Sequence, residues 1–192
     1  MVFEILPLIV AVLIALSIVY STMRFGISPM PSSSKAYLAM VKHIEETGSG
    51  TIIDLGSGWG NFVIPIAKRY PQRQIVGYEI SLLPYFTSTL IKHILGLKNL
   101  TLYRQNFLKA NLSTASVLVC YLFPETMDKI KNKLLLEKPG VEFLISNNFA
   151  LPSYQFDKVI QLDDFYKSPV YLYKLIDQSI GKVSTITPTG TG

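Results

Sequence analysis

Apolar residues follow two different patterns along this chain. Residues 1–20 form one nearly continuous apolar run, and no charged residue occurs between Glu4 and Arg24. Beyond residue 35, short apolar runs typical of buried strands alternate with longer segments in which apolar residues recur every three or four positions. The pattern therefore divides the chain into an apolar leader and a domain of alternating strands and helices.

The leader is long enough to cross a membrane. As a helix, the uncharged residues between Glu4 and Arg24 would extend about 28 Å at ~1.5 Å per residue, close to a hydrocarbon core of ~30 Å. We therefore expect residues 1–23 to be a transmembrane anchor. The alternatives are a cleaved secretory signal, which normally has a basic start and a small-x-small cleavage site, and a helix of the domain core.

Charge predicts the orientation of this anchor. Arg24, Lys35 and Lys42 follow the apolar run, whereas no lysine or arginine precedes it. Because basic residues flanking a span remain on the cytosolic side, the domain is expected in the cytosol or in a matrix-like compartment.

The domain pattern predicts an α/β fold. The predicted strands are 51–55, 74–80, 100–104, 116–122, 141–146, 158–162 and 170–175. The predicted helices are one capped by Ser32 or Ser33 and ending before Gly48, then 61–70, 82–95 and 124–135. Pro65 is expected to distort the start of its helix. This alternation is typical of a Rossmann-like, doubly wound and mainly parallel sheet.

Turn-forming residues mark the boundaries of this domain. Residues 24–34 contain a glycine, two prolines and a run of serines, which predicts a linker. The domain is expected to span residues 35–182, and the Thr- and Gly-rich residues 183–192 are expected to form a flexible tail.

Composition excludes several classes of protein. The chain has 192 residues, enough for one domain with an appendage, and a formal net charge of +5. Its basic residues are scattered and do not form a stripe, which argues against nucleic-acid binding. A single cysteine, Cys120, excludes an intrachain disulfide, and no group of residues has metal-ligand spacing, so no metal is predicted. Two basic groups are expected on solvated faces: Lys68, Arg69 and Arg73, and Lys129, Lys131 and Lys133.

The ends of the first two strands carry the candidate chemistry. The first strand ends at Asp54 and Leu55 and runs into a turn with glycines at 56, 58 and 60. Such a turn lets the main chain approach a ligand, and the N–H groups at the next helix favour an anionic group. Glu79, at the end of the second strand, is placed to accept hydrogen bonds from ribose hydroxyls. The pair predicts a nucleoside cofactor, either NAD or S-adenosylmethionine; the alternative is a tight turn beside a solvated glutamate.

The motif spacing resembles class I S-adenosylmethionine-dependent methyltransferases. Asp54 followed by G-x-G-x-G resembles motif I of that class, whereas dinucleotide enzymes carry G-x-G-x-x-G. Residues 105–107 (QNF) resemble the segment that places an Asp or Asn against the adenine amino group and an apolar neighbour on the ring. Residues 121–124 (YLFP) resemble motif IV, which lines the methyl-transfer site. The resemblance implies a seven-stranded sheet closed by an antiparallel hairpin, with S-adenosyl-L-methionine as cofactor.

A narrower resemblance points to the acceptor. Residues 28–35 (SPMPSSSK) resemble the pre-motif of a lysine methyltransferase family with soluble archaeal members. The family also has membrane-anchored mitochondrial members that modify the adenine nucleotide translocase or the ATP synthase c-subunit. The likeness covers residues 28–175 and departs from the family pattern at Pro29, Ser33, Asn147 and Asn148. It implies methyl transfer to a lysine of a protein, with a membrane-embedded substrate and membrane lipid as partners.

These observations define a set of candidate site residues. Those expected to bind the cofactor are Asp54, Gly56, Ser57, Gly58, Trp59, Gly60, Glu79, Asn106, Phe107 and Tyr121. Those expected to bind substrate are Pro31, Ser32, Phe123 and Phe149. Tyr121 and Pro124 are the candidate catalytic residues, expected to position the acceptor amine through the Tyr121 hydroxyl or the backbone carbonyls of residues 122–124. No general base is predicted.

Two other functions fit the same sequence. One is a methyltransferase that acts on a small lipophilic molecule such as a quinone or a lipid, because an anchor gives access to these as well as to membrane proteins. The other is a cofactor-binding domain without catalytic activity.

Overall fold

The computed structural model of the protein describes residue 7, residues 33–137 and residues 140–175. The predicted anchor apart from residue 7, the linker up to residue 32, and the tail lie outside the described residues, as do the candidates Pro31 and Ser32. Among the described residues, no helix has both the length and the apolar character needed to cross a bilayer.

The described elements follow the predicted alternation. In chain order they are α1 (Ser34–Ile44), β1 (Ile52–Leu55), α2 (Val63–Arg69), β2 (Ile75–Glu79), α3 (Leu82–Ile94), β3 (Leu100–Arg104), a short 3-10 helix (Phe107–Lys109), β4 (Val117–Cys120), α4 (Pro124–Glu137), β5 (Phe143–Asn147), β6 (Lys158–Gln161) and β7 (Pro169–Lys174). Ser33 caps α1, because its side-chain oxygen accepts a hydrogen bond from the Ala36 N–H at 3.1 Å.

The strands form a single seven-stranded sheet. Their order is β3-β2-β1-β4-β5-β7-β6. Strands β1 to β5 pair in parallel, while β7 is antiparallel to both β5 and β6. The doubly wound sheet and its closing hairpin are therefore confirmed. The strand order reverses between β1 and β4, which is where such sheets bind ligands.

Helices cover both faces of the sheet. Alternate strand residues point to opposite faces, so that Ile52 packs with α1 and α2 whereas its neighbour Ile53 packs with α4. Both isoleucines are at most 1% exposed. This burial on two sides explains why the strands appear in the sequence as continuous apolar runs.

Pro65 lies in the first turn of its helix, where the start of the helix departs from the predicted one. Helix α2 begins at Val63, two residues later than predicted, so Pro65 occupies the third helical position. The backbone nitrogens of the first turn have no partner within the helix, and the missing N–H of proline therefore costs nothing there.

Two basic side chains predicted to be solvated are buried. The Arg73 guanidinium donates to the Gly50 carbonyl at 2.8 Å and is 6% exposed. The Lys133 ammonium donates to the Leu108 carbonyl at 3.0 Å and to Glu137 at 2.7 Å, and Lys133 is 7% exposed. Both predictions of a solvated side chain were wrong, because these residues join segments that are distant in sequence.

Candidate functional site

A cavity of about 520 Å³ opens at the carboxyl ends of β1, β2 and β4. Its volume lies in the range of small-molecule sites. Eleven of the predicted site residues line it together: Asp54, Gly56, Ser57, Gly58, Trp59, Glu79, Asn106, Phe107, Tyr121, Phe123 and Phe149.

The turn after β1 is fastened to the end of β2. The N–H groups of Gly56 and Ser57 donate to the Tyr78 carbonyl at 3.0 and 2.9 Å. Gly56 and Gly58 have φ values of 103° and 52°, in the left-handed region that favours glycine. Among the described residues other than its chain neighbours, none has an atom within 4 Å of where a β-carbon on Gly58 would stand, so this stretch of backbone is open to a ligand.

Glu79 connects this turn to the start of α3. One carboxylate oxygen accepts the Gly58 N–H at 2.9 Å, and the other accepts the Ser81 N–H at 2.6 Å. Each oxygen retains a further lone pair for a donor in the cavity. The glutamate therefore lies against the glycine turn, in the position predicted for an acceptor of ribose hydroxyls.

Gly77 supports the site from within β2, and the sequence reasoning missed it. A β-carbon at Gly77 would lie 2.8 Å from the Ser57 hydroxyl and 2.7 Å from Leu102. The Ser57 hydroxyl is buried in the cavity wall and has no hydrogen-bond partner in the part of the chain that the structure describes. A glycine inside an apolar strand often marks such a close approach, so a signal was present.

The segment after β3 contributes a polar and an aromatic group. The Asn106 side-chain oxygen accepts the Leu108 N–H at 2.9 Å and thereby caps the 3-10 helix. Phe107, 8% exposed, lines the cavity beside it. Asn106 keeps its amide donors and a second lone pair for a ligand.

Three aromatic rings form what we call the aromatic mouth: Tyr121, Phe123 and Phe149. The Tyr121 and Phe149 rings are 6.4 Å apart between centroids, and those of Phe123 and Phe149 are 5.8 Å apart. The Ser146 hydroxyl donates to the Phe149 carbonyl at 2.5 Å and holds that residue in place. The mouth thus offers π faces at the edge of the cavity.

Two predicted residues lie outside the lining. A β-carbon at Gly60 would lie 2.6 Å from Ile64 and 3.0 Å from Ser88, so Gly60 permits helix packing and does not face the cavity. Pro124 is exposed and is the first residue of α4, a position that proline favours.

The backbone carbonyls beside Pro124 are mostly used by the helix. The Phe123 carbonyl accepts the N–H groups of Thr126 and Met127 at 2.9 and 3.0 Å. The Pro124 carbonyl is itself part of the helix, where it is bonded within the first turns. Of the residues whose carbonyls are predicted to orient a substrate, Leu122 precedes the helix and is among those that line the cavity.

Other lining residues come from elements that sequence reasoning did not connect with the site. These residues include Met40 of α1, Thr126 and Lys129 of α4, and Asn148 after β5. No local motif identifies them, because only the packing of α1 and α4 on the sheet brings them to the cavity. Within residues 33–137 and 140–175, no cluster of residues suited to a metal ion is found.

Asp54 has an unusual protonation equilibrium. Burial, together with the negative charge of Glu79, raises the pKa of its carboxyl to about 8. The group is therefore mainly protonated at neutral pH, and a cationic ligand in the cavity would favour its ionised form. The carboxyls of Asp54 and Glu79, the open backbone of the glycine turn and the aromatic surfaces fit S-adenosylmethionine, which carries hydroxyl donors, a sulfonium and an amino group.

We expect S-adenosylmethionine affinity to be weaker at pH 6 than at pH 7 by up to about tenfold, because a cationic ligand favours the ionised form of Asp54 and its binding then releases the proton. Calorimetry in buffers of different ionisation enthalpy measures both the affinity and the proton released. In Asp54→Asn only the ligand's own titration should remain. An equal pH dependence in both proteins would contradict the assignment.

The same carboxyl affects stability in a defined direction. Its folded-state pKa of about 8 lies above the ordinary value of 3.8. Its contribution to the free energy of unfolding is therefore complete below about pH 4 and is lost as the pH rises towards 8.

Comparison with known proteins identifies related sequences. The family model of the ANTKMT methyltransferase domain matches residues 54–158, just over half of the chain. A curated relative, the protein-lysine N-methyltransferase of Saccharolobus islandicus (strain REY15A), is 26% identical over 149 residues. That alignment covers 75% of this chain and 91% of the relative.

Solved structures share the fold. An RNA methyltransferase from Salinibacter ruber, in complex with S-adenosyl-L-homocysteine, aligns with a TM-score of 0.64 at 20% identity, covering 76% of this chain and 93% of that one. Magnesium protoporphyrin IX methyltransferase from Synechocystis PCC 6803, with bound SAM, aligns at 0.58 and 14% identity, covering 72% and 77%. At such identities the likeness concerns the fold alone.

Proposed function

Because this chain belongs to the ANTKMT methyltransferase domain family and is thus an S-adenosylmethionine-dependent methyltransferase, we propose that it methylates a lysine side chain of a membrane protein. The observation that carries the proposal is the continuity between the cavity beside Glu79 and the aromatic mouth. The curated lysine methyltransferase relative supports the choice of acceptor.

The residues that would hold the cofactor have separate tasks. Bound S-adenosylmethionine supplies an electrophilic methyl group on a sulfonium. Glu79 accepts hydrogen bonds from hydroxyl groups, Asp54 offers negative charge to the cationic part, and Phe107 gives an apolar surface. The protein's own contribution to the rate is mainly orientation of the two reactants and exclusion of water.

A lysine acceptor must lose its proton before it can attack. At pH 7 only about one free lysine in 2,500 is neutral, given a pKa of ~10.4. The aromatic mouth lowers the pKa of an entering ammonium by removing water from it. The Tyr121 hydroxyl and the Leu122 carbonyl are the groups proposed to orient the neutral amine, and the ring faces stabilise the neighbouring positive charge of the cofactor.

The proposed location at a membrane rests on the apolar leader. Residues 1–23 have the length and hydropathy of an anchor, and the basic residues that follow favour a domain on the cytosolic or matrix side. An anchored domain would meet its acceptor at the membrane surface.

The proposal predicts methyl-lysine in membrane proteins. The full chain, incubated with isotopically labelled S-adenosylmethionine and a membrane fraction, should transfer label into protein that yields methylated lysine on acid hydrolysis. Mass spectrometry should locate the modified lysines. The Glu79→Gln variant serves as the control for background transfer.

Other distributions of label would favour the alternatives. Label that extracts into the organic phase would indicate that the methyl acceptor is a small lipophilic molecule and not a protein lysine. Calorimetric binding of S-adenosylmethionine with no transfer to any fraction would indicate a non-catalytic domain. Either outcome would reject protein-lysine methylation.

A further inference from the structure

Two aromatic side chains project into solvent between β6 and β7. The segment 162–168, here called the hairpin tip, carries Phe165 at 94% exposure and Tyr166 at 84%. Their rings meet edge to face, with centroids 5.2 Å apart. Such exposure of large apolar surface is unfavourable in water and typical of a contact surface.

The hairpin tip lies on the same edge of the sheet as the cavity. Strand β7 begins beside the end of β5, where Asn147 pairs with Val170 and the Asn148 N–H donates to the Pro169 carbonyl at 2.8 Å. Adjacent strands lie about 4.8 Å apart, so the tip is within roughly two strand spacings of the end of β5. The tip and the aromatic mouth therefore face the same side of the domain.

The hairpin tip is also tied to the place where the leader joins the domain. The Lys35 ammonium, in the first turn of α1, donates to the Asp163 carbonyl and lies 3.8 Å from the Asp163 carboxylate. Residues 24–32 are the stretch between the predicted anchor and Ser33. Fully extended, such a stretch spans at most about 32 Å. The hairpin tip thus lies near the point that a membrane anchor would hold close to the bilayer.

The charge of the hairpin tip distinguishes electrostatic attraction to lipid headgroups from insertion of aromatic side chains into the membrane interface. Asp163 and Asp164 on the hairpin tip are balanced by Lys167 and the neighbouring Lys35. A surface without net charge is only weakly attracted to anionic lipid headgroups. Phenylalanine and tyrosine, in contrast, suit the membrane interface, since the ring enters the apolar boundary while the tyrosine hydroxyl stays hydrated.

We propose that Phe165 and Tyr166 insert into the interfacial layer of a lipid bilayer and turn the aromatic mouth towards the membrane surface. This inference rests on the membrane location given under the proposed function. It specifies the acceptor further: a lysine held close to the bilayer surface, on the side where the domain lies, reaches the cavity.

A site-specific fluorescence experiment tests the contact. Cysteine is introduced as Phe165→Cys or Tyr166→Cys in the full chain and labelled with an environment-sensitive fluorophore; native Cys120 is buried. The proteins are reconstituted in phosphatidylcholine vesicles that contain nitroxide-labelled lipid. We expect a blue shift and a loss of emission at both positions, and neither should change in high salt.

Matched control positions lie on the side of the domain opposite the cavity, beyond the amino ends of the parallel strands. Ile94 and Leu136, 73% and 84% exposed, lie near the carboxyl ends of α3 and α4, away from the cavity. Labels at Ile94→Cys and Leu136→Cys should keep the emission seen in solution. Equal quenching on both sides of the domain, or none at the hairpin tip, would overturn the proposal.

The remaining outcomes separate this contact from the proposed function. A spectral change that requires added membrane protein would assign the hairpin tip to a protein partner and reject the lipid contact. Failure of the full chain to float with vesicles would reject both the membrane location and the contact. Intact lysine methylation without quenching would reject the contact alone, whereas quenching without lysine methylation would reject the acceptor alone.

Discussion

Replacing Glu79 with glutamine is expected to weaken S-adenosylmethionine binding about a hundredfold, or about 3 kcal/mol. The carboxylate accepts the N–H groups of Gly58 and Ser81 with its two oxygens. Glutamine has one acceptor oxygen, so one of these N–H groups loses its partner and the other loses a charge-assisted bond. Fewer lone pairs also remain for the hydroxyls of the ligand.

Calorimetric titration of the full chain measures this loss. Glu45→Gln is the matched control, because Glu45 is an exposed carboxylate that pairs with Arg69 at 3.0 Å, away from the cavity. Its affinity should equal that of the unmodified protein. A Glu79→Gln protein that folds and binds S-adenosylmethionine with unchanged affinity would remove the basis for the assigned cofactor site.

Replacing Gly60 with alanine is expected to lower the free energy of unfolding by about 2–5 kcal/mol. Its φ of 84° is left-handed, which strains a residue that has a β-carbon. That carbon would also lie 2.6 Å from Ile64 and 3.0 Å from Ser88, so steric overlap adds to the backbone strain. Because these neighbours belong to α2 and α3, the loss should appear in global unfolding.

Denaturant unfolding followed by circular dichroism gives this free energy. Gly96→Ala separates the two causes, since Gly96 has a φ of 61° but no described residue beyond its chain neighbours has an atom within 4 Å of an added β-carbon. Its expected loss is about 1–2 kcal/mol, from backbone strain alone. Equal losses in the free energy of unfolding at the two positions would show that steric overlap with Ile64 and Ser88 does not contribute to the loss at residue 60.

The strands could be predicted because they are covered on both faces. Ile52 and Ile53 point to opposite layers and are both buried, so the apolar run in the sequence directly reports the strand. The glycine turn and Glu79 were also predictable, since the ends of adjacent parallel strands must meet at one edge of the sheet. Local chemistry and simple topology were sufficient for this part of the site.

Other parts of the site depend on packing between distant segments. Met40 and Lys129 reach the cavity from helices whose sequences carry no sign of it. Gly60 and Pro124 belong to motif segments, yet one serves helix packing and the other begins a helix. A motif locates a segment, but the direction of each side chain depends on the neighbours of that segment.

The amino-acid sequence by itself determined the alternation of strands and helices, the glycine turn beside an acidic strand end, and an apolar leader. These follow from periodicity and backbone freedom, which act over a few residues. Only the tertiary structure decided that Arg73 and Lys133 are buried, that Ser57 packs against Gly77, and that the hairpin tip shares an edge with the aromatic mouth. The physical reason is that burial and proximity depend on which distant segments pack together, and no local pattern encodes that.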